Sequence, residues 1–118
     1  MHHKLYGMPM AKIYALYVQK ITKKERRIEE LNQVITWLTG YPTIDLSSLD
    51  GVTVQEFFSD APKMNENRRF ITGKICGVQI ETIEDPIMKN IRYLDKLVDE
   101  LAKGRPLHKI LREAPRGI

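Results

Sequence analysis

Cys76 is the side chain best equipped for nucleophilic chemistry, and it is the single cysteine among 118 residues. A thiol attacks as its thiolate, which neighbouring cations stabilise. Lys74, Arg68 and Arg69 are close enough in sequence to fold over it, and His108 would be its base. Nothing in the spacing joins His108 to Cys76, so the plainer reading is preferred: a small buried residue near a helix end. Carboxylates offer a second chemistry. Asp95 and Asp99 share a helix face, as do Glu81 and Asp85 if that segment is helical. General acid–base work needs one member buried with a raised pKa, whereas a solvated face is the expectation for both pairs. Arg92 and Asp95 stand three apart, with Lys96 one turn after Arg92. They would pin a loop or line a polar pocket, and pinning is the simpler role. A pocket near Arg68 and Asp95 is the candidate polar site.

Anion and metal chemistry find less support. Thr72-Gly73-Lys74 sets a hydroxyl, a flexible backbone and a cation side by side, but a helix boundary explains it more simply. Gly73 and Gly77 are spaced G-x3-G, and neither phosphate-binding glycine pattern is present. Basic residues form three clusters: Lys20, Lys23, Lys24, Arg26 and Arg27; Arg68 and Arg69; and Arg105, Lys109, Arg112 and Arg116. Gathered on one face they would hold phosphates. Glu25, Glu29 and Glu30 dilute the first cluster, and no helix presents an Asn, Gln and Arg face for reading bases. His2, His3 and His108 form no H-x3-H pair and Cys76 has no C-x2-C companion, so neither a metal nor a cofactor is expected.

These residues need a scaffold, and the composition suits one globular domain: 42% hydrophobic, 29% charged, net charge +4. A lone cysteine argues against an oxidised, disulfide-stapled secreted fold. The N-terminus lacks the apolar core of a signal peptide, and no apolar run is long enough to span a membrane. A cytoplasmic protein is the expectation.

The hydrophobic spacing predicts an all-α bundle with three longer helices, about 10–21, 23–39 and 86–103, and several short ones. In the first, Met10, Ile13, Tyr14, Tyr17, Val18 and Ile21 would all enter the core, with Pro9 in its first turn. Thr22 and Glu25 have capping-box spacing for the second, whose stripe is Ile28, Leu31, Ile35 and Leu38 with Val34 beside it. Gly40 and Pro42 end it, and Trp37 lies on its flank. Residues 43–51 read as a loop or short helical turn. Thr53 and Glu56 repeat the box before a short helix at 54–60, where one of Phe57 and Phe58 would enter the core and the other pack on a neighbour. Asn65 would cap a helix from Glu66 that buries Phe70, Ile71 and Ile75 and ends at Gly77, although Gly73 weakens it. Val78–Ile83 alternates, yet it has no convincing partner strand, so a connection or helical turn is preferred. Asp85-Pro86 starts the clearest helix, which buries Ile87, Ile91, Leu94, Leu97, Val98 and Leu101 and stops at Gly104. A last short helix from Pro106 buries Leu107, Ile110 and Leu111, and 115–118 would fray.

Three stretches are recognisable: VITWLTGY (34–41), FFSDAPKMNENRRFITGKICGV (57–78) and IEDPIMKNIRYLDKLVDELAKGRPLHKILR (83–112). Through them the chain resembles the DUF2200 family of small bacterial proteins of unknown function, over about 5–112. The resemblance implies a compact, mostly helical cytoplasmic domain. It carries no catalytic residue, substrate or cofactor. The expected function is an interaction module, with Trp37, Tyr41 and Tyr93 as anchors if exposed and a homodimer as open as a monomer. The alternatives are a weak nucleic-acid binder and a small enzyme using Cys76 or the pocket near Arg68 and Asp95.

Overall fold

Asp85 shows how directly some of these signals act. Its carboxylate accepts the Ile87 and Met88 amide protons, Pro86 fills the first helical position, and a 17-residue helix follows to Ala102. In the computed structural model, which describes residues 4–112, this helix is the axis of the fold. In chain order the helices are α1 (Met10–Thr22), α2 (Ile28–Thr39), α3 (Leu46–Leu49), α4 (Val54–Ser59), α5 (Pro86–Ala102) and α6 (Leu107–Ile110). Short 3₁₀ helices occupy Lys4–Gly7, Glu66–Phe70 and Ile80–Thr82, and a small hairpin pairs β1 (Lys74–Ile75) with β2 (Val78–Gln79). The architecture is a compact all-helical single domain that also carries this small hairpin.

Helices α1, α2 and α4 pack on α5, and α6 returns along it. Ile21, Leu31, Leu38, Leu94, Leu97 and Leu101 are sealed between them. Burying a side chain of this kind stabilises by about 1.5–3 kcal/mol. The starts of α1 and α4 are laced together: Met10 N–H donates to Val52 O at 2.8 Å and Val54 N–H to Met8 O at 2.8 Å. Thr53 and Glu56 form the expected reciprocal cap of α4, and Asp45 caps α3 through Ser48 N–H. Gly40 adopts φ +82° and closes α2.

Elsewhere the structure corrects the expectations. The second helix begins at Ile28, not at 23. The Thr22–Glu25 box does not form. Thr22 hydroxyl instead donates back to Val18 O at 2.7 Å, and Glu25 turns the chain with φ +62°. Glu30 is the carboxylate that receives the orphan Arg27 N–H, at 3.1 Å. The reason lies in packing. Ile21 and Leu31 must both face α5, so the chain has to reverse between them. Ile28 consequently stays 41% exposed. Ile13 and Val18 are half-buried rather than core, and so are Ile87, Leu107 and Leu111. Phe57 and Phe58 are both buried, edge to face at 5.2 Å, with Phe57 stacked on Tyr41 at 4.6 Å.

The stretch 66–77 is not one helix. After the turn Glu66–Phe70, which Asn65 does cap, the chain extends into the hairpin. Lys74 pairs with Gln79 and Ile75 with Val78, so the first two residues of the alternating stretch have a partner strand, while Ile80–Thr82 make the helical turn preferred for it. Cys76 (φ +53°) and Gly77 (φ +76°) are its two turn residues, the left-handed pair that a type I′ hairpin turn demands. Ile71 and Ile75 are still buried, while Phe70 is half-buried. Cys76 is exposed, contrary to the buried placement expected for it. The leading His2 and His3, Arg116 and the end 115–118 lie outside the described residues.

Candidate functional site

Helix α5 separates two groups of polar side chains. Neighbouring positions on a helix diverge by roughly 100°, so Arg92 and Tyr93 serve different sides. Tyr93, with Lys89 and Asn90 one turn earlier, faces the turn Glu66–Phe70 and the approach to α5. Together they line a cavity of about 530 Å3 with Arg68, Arg69, Glu66 and Glu84.

The local fold places each of these. Asn65 side chain accepts Asn67 N–H at 2.9 Å, which sets the turn. Arg68 Nη1 donates to Asn65 O at 2.8 Å, which fixes that guanidinium. Arg69 lies over the Phe70 ring, 4.9 Å from its centroid, a contact that steadies a cation without neutralising it. Among the described residues, Arg68, Arg69 and Lys89 form no ion pair. Tyr93 is only 6% exposed, yet its hydroxyl makes no hydrogen bond among the described residues. Among the described residues no buried side-chain oxygen is left without a hydrogen bond, so this hydroxyl keeps some access to solvent. Three cations, an amide and a phenol thus face one space, against two carboxylates.

Asp95 belongs to the other side of α5. Its carboxylate accepts Tyr17 hydroxyl at 2.5 Å and Arg92 Nη1 at 3.0 Å. Burial, then the adjacent Asp95 charge, pushes the Tyr17 phenol well above its ordinary range. Arg92 and Asp95 line a separate cavity of about 200 Å3. Arg68 and Asp95 are therefore not brought into one pocket. Arg92 and Asp95 pair within α5, Asp95 ties that helix to α1 through Tyr17, and Lys96 Nζ pins the hairpin by donating to Lys74 O at 3.2 Å.

The remaining candidates disperse. Cys76 sits at the hairpin tip and lines neither cavity, and His108 is exposed on α6. Asp99 lies between Lys20 at 3.3 Å and Lys103 at 3.0 Å. Burial pushes its carboxyl up, but these two lysines outweigh that and hold it below the usual range, the wrong direction for a general acid. Glu81 accepts Gly73 N–H at 2.7 Å, so the amide that Thr72-Gly73-Lys74 would offer an anion is already satisfied. Its carboxyl is lowered by Gln79 and that amide. Arginines of two basic clusters hold the chain together. Arg26 chelates Glu30 and donates to Leu101 O at 3.1 Å and Arg105 O at 2.8 Å, covering the end of α5. Arg105 and Arg112 both pair with Glu100, which is 5% exposed. Lys89 and Leu101 are separated by roughly 18 Å of helix. Arg26 is thus turned toward that end of α5, and Arg68 and Arg69 toward the cavity near its start. Of the three proposed aromatic anchors, Tyr93 is buried, Tyr41 donates to Phe57 O at 2.6 Å, and Trp37 is half-buried.

Sequence reasoning alone does not join Lys89 with Tyr93. The available signal was their four-residue spacing on the clearest helix. What was missing was the distant turn that faces them. No three His, Cys, Asp or Glu side chains gather to hold a metal ion among the described residues. No helix there is long and apolar enough to cross a membrane.

No curated protein matches the chain. A solved structure described as "Crystal structure of uncharacterized protein SP1917" is similar, at 46% identity over 94% of this chain and 93% of that one, with a TM-score of 0.87. The family described as "Uncharacterized protein conserved in bacteria (DUF2200)" matches residues 4–112. With nearly its whole length matched, the chain belongs to the DUF2200 family.

Proposed function

We propose that this protein is a binding module, and that its cationic cavity takes a small molecule bearing a phosphate or carboxylate. One observation carries the reading: among the described residues Arg68, Arg69 and Lys89 line the cavity without an ion pair, together with a Tyr93 hydroxyl that makes no hydrogen bond there. Elsewhere the fold engages its arginines with carboxylates, as at Glu30 and Glu100. Charge-assisted hydrogen bonds to an anion are about twice as strong as neutral ones. A volume of about 530 Å3 suits a ligand of ordinary metabolite size. The exposed free thiol of Cys76 favours a reducing, cytoplasmic setting.

This reading narrows the interaction module expected at the outset. A nucleic acid is the less favoured partner, because Arg26, Arg105 and Arg112 are engaged with carboxylates. A homodimer would want a continuous apolar face, and the exposed Leu16, Ile28 and Leu46 stand on three different helices. A thiol enzyme would need Cys76 at the cavity.

Titration with inorganic phosphate and pyrophosphate in low salt, followed by amide NMR shifts, tests the proposal. Saturable shifts should centre on residues 66–70 and 84–93 and weaken as salt screens the cations. The double variant Arg68→Gln, Lys89→Gln should bind roughly tenfold more weakly or worse. Absence of saturation, or equal binding by the double variant, would overturn it.

A further inference from the structure

We propose that the pit between α1, α4 and α5 is a second binding site, for a small uncharged molecule with an apolar body and a carbonyl head. It is independent of the cationic cavity, on the other side of α5.

Ile13, Leu16 and Phe58 supply apolar walls, and Tyr17, Arg92 and Asp95 a polar edge, around about 200 Å3. An apolar cavity of roughly 150 Å3 is large enough to take benzene, so the space fits one ring or a short branched chain. Leu16 is 50% exposed beside it, so an occupant would remove a large apolar side chain from water.

The head group follows from the polar edge. Each Asp95 oxygen already accepts one strong donor, Tyr17 on one side and Arg92 on the other. Arg92 is only partly exposed, with a side-chain accessibility of 20%. A guanidinium has five N–H donors, and only one contact, that to Asp95, engages it among the described residues. The edge therefore offers donors and wants an acceptor. The Arg92–Asp95 pair is already neutral as a unit. A ligand anion would meet the Asp95 charge and a ligand cation that of Arg92, both in a partly desolvated place where repulsion is weakly screened. A carbonyl oxygen accepts from Arg92 without either penalty. Its apolar body then lies against Ile13, Leu16 and Phe58.

Benzamide is the probe, with benzoate and benzylamine as charged comparators and toluene as the headless one, each followed by amide NMR on the whole chain. Benzamide should give saturable shifts on α1, α4 and α5 around residues 13–17, 54–58 and 91–95, at least roughly fivefold tighter than either charged analogue. Arg92→Gln should weaken benzamide by roughly tenfold and leave toluene unchanged. That variant leaves Asp95 bonded to Tyr17, and its helical circular dichroism serves as the fold control. Leu16→Trp changes an exposed position and fills the mouth, so it should abolish the shifts for benzamide and toluene alike. Shifts confined to the Arg68 cavity, tighter binding of benzoate or benzylamine, equal benzamide binding in Arg92→Gln, or no saturation would each overturn the proposal. Phosphate titration reads a different set of residues, so the two sites fail separately.

Discussion

Glu30 is the residue whose environment changes its chemistry most usefully for measurement. Hydrogen bonds from Arg26, then from the Arg27 amide, push its carboxyl down to about 2. A carboxylate that is easier to ionise in the fold stabilises the protein above the ordinary value near 4.5. That stabilisation is lost as pH falls from there through about 2. Both side chains of the pair are mostly covered, at 14% and 18% accessibility. Glu30→Gln should therefore cost about 1–2 kcal/mol at neutral pH, and the gap from the parent protein should close in acid. Urea unfolding of both proteins at pH 7 and in steps down to pH 2 reads this. A gap that stays constant would mean that Glu30 acts by packing alone.

At the scale of elements, two glycines separate conformational need from space. Gly40 ends α2 at φ +82°, and a Cβ there would lie 2.9 Å from both Lys63 N and Lys63 O. Gly77 turns the hairpin at φ +76° with nothing among the described residues within 4 Å of such an atom. Gly77→Ala should cost about 1 kcal/mol, the left-handed penalty alone. Gly40→Ala must also push apart two backbone segments and should cost about 2–3 kcal/mol. Their urea midpoints, measured side by side, should fall in that order. The same comparison explains why a helix was expected at 66–77. Gly77 looked like a helix stop, and it is a stop in conformation. It works instead with Cys76, whose φ of +53° no sequence rule anticipates for a cysteine.

For the whole molecule, the tyrosines report how the core is joined to polar partners. Burial first, then hydrogen bonding to Asp85, raises Tyr6 to about 12. Burial likewise raises Tyr14, Tyr17 and Tyr41 above their ordinary value of 10.0. Their raised values favour the fold fully below that ordinary value, and the contribution is lost as pH rises above it, for Tyr6 through about 12. Thermal stability should accordingly hold to about pH 10 and then fall steeply, with tyrosinate absorbance appearing together with loss of helix. Gradual ionisation without unfolding would contradict it. Tyr17→Phe should lessen the effect, because it removes one of the buried phenols whose ionisation opposes the fold.

What the sequence determined unaided was local. Apolar residues at three- and four-residue spacing set α1, α2 and α5, and Asp85-Pro86, Thr53 with Glu56, and Gly40 marked ends that the structure keeps, because caps act within one turn of themselves. The family was legible in the same way, from long contiguous motifs. Tertiary structure alone decided the start of α2, the exposure of Cys76, and which charges remain unpaired. Arg26 and Arg68 look alike in the chain, but one meets Glu30 and the end of α5 while the other borders an open cavity. That difference depends on partners distant in sequence. Spacing along one helix cannot reveal it, because a charge is neutralised by what packs against it, whatever stands beside it in the chain.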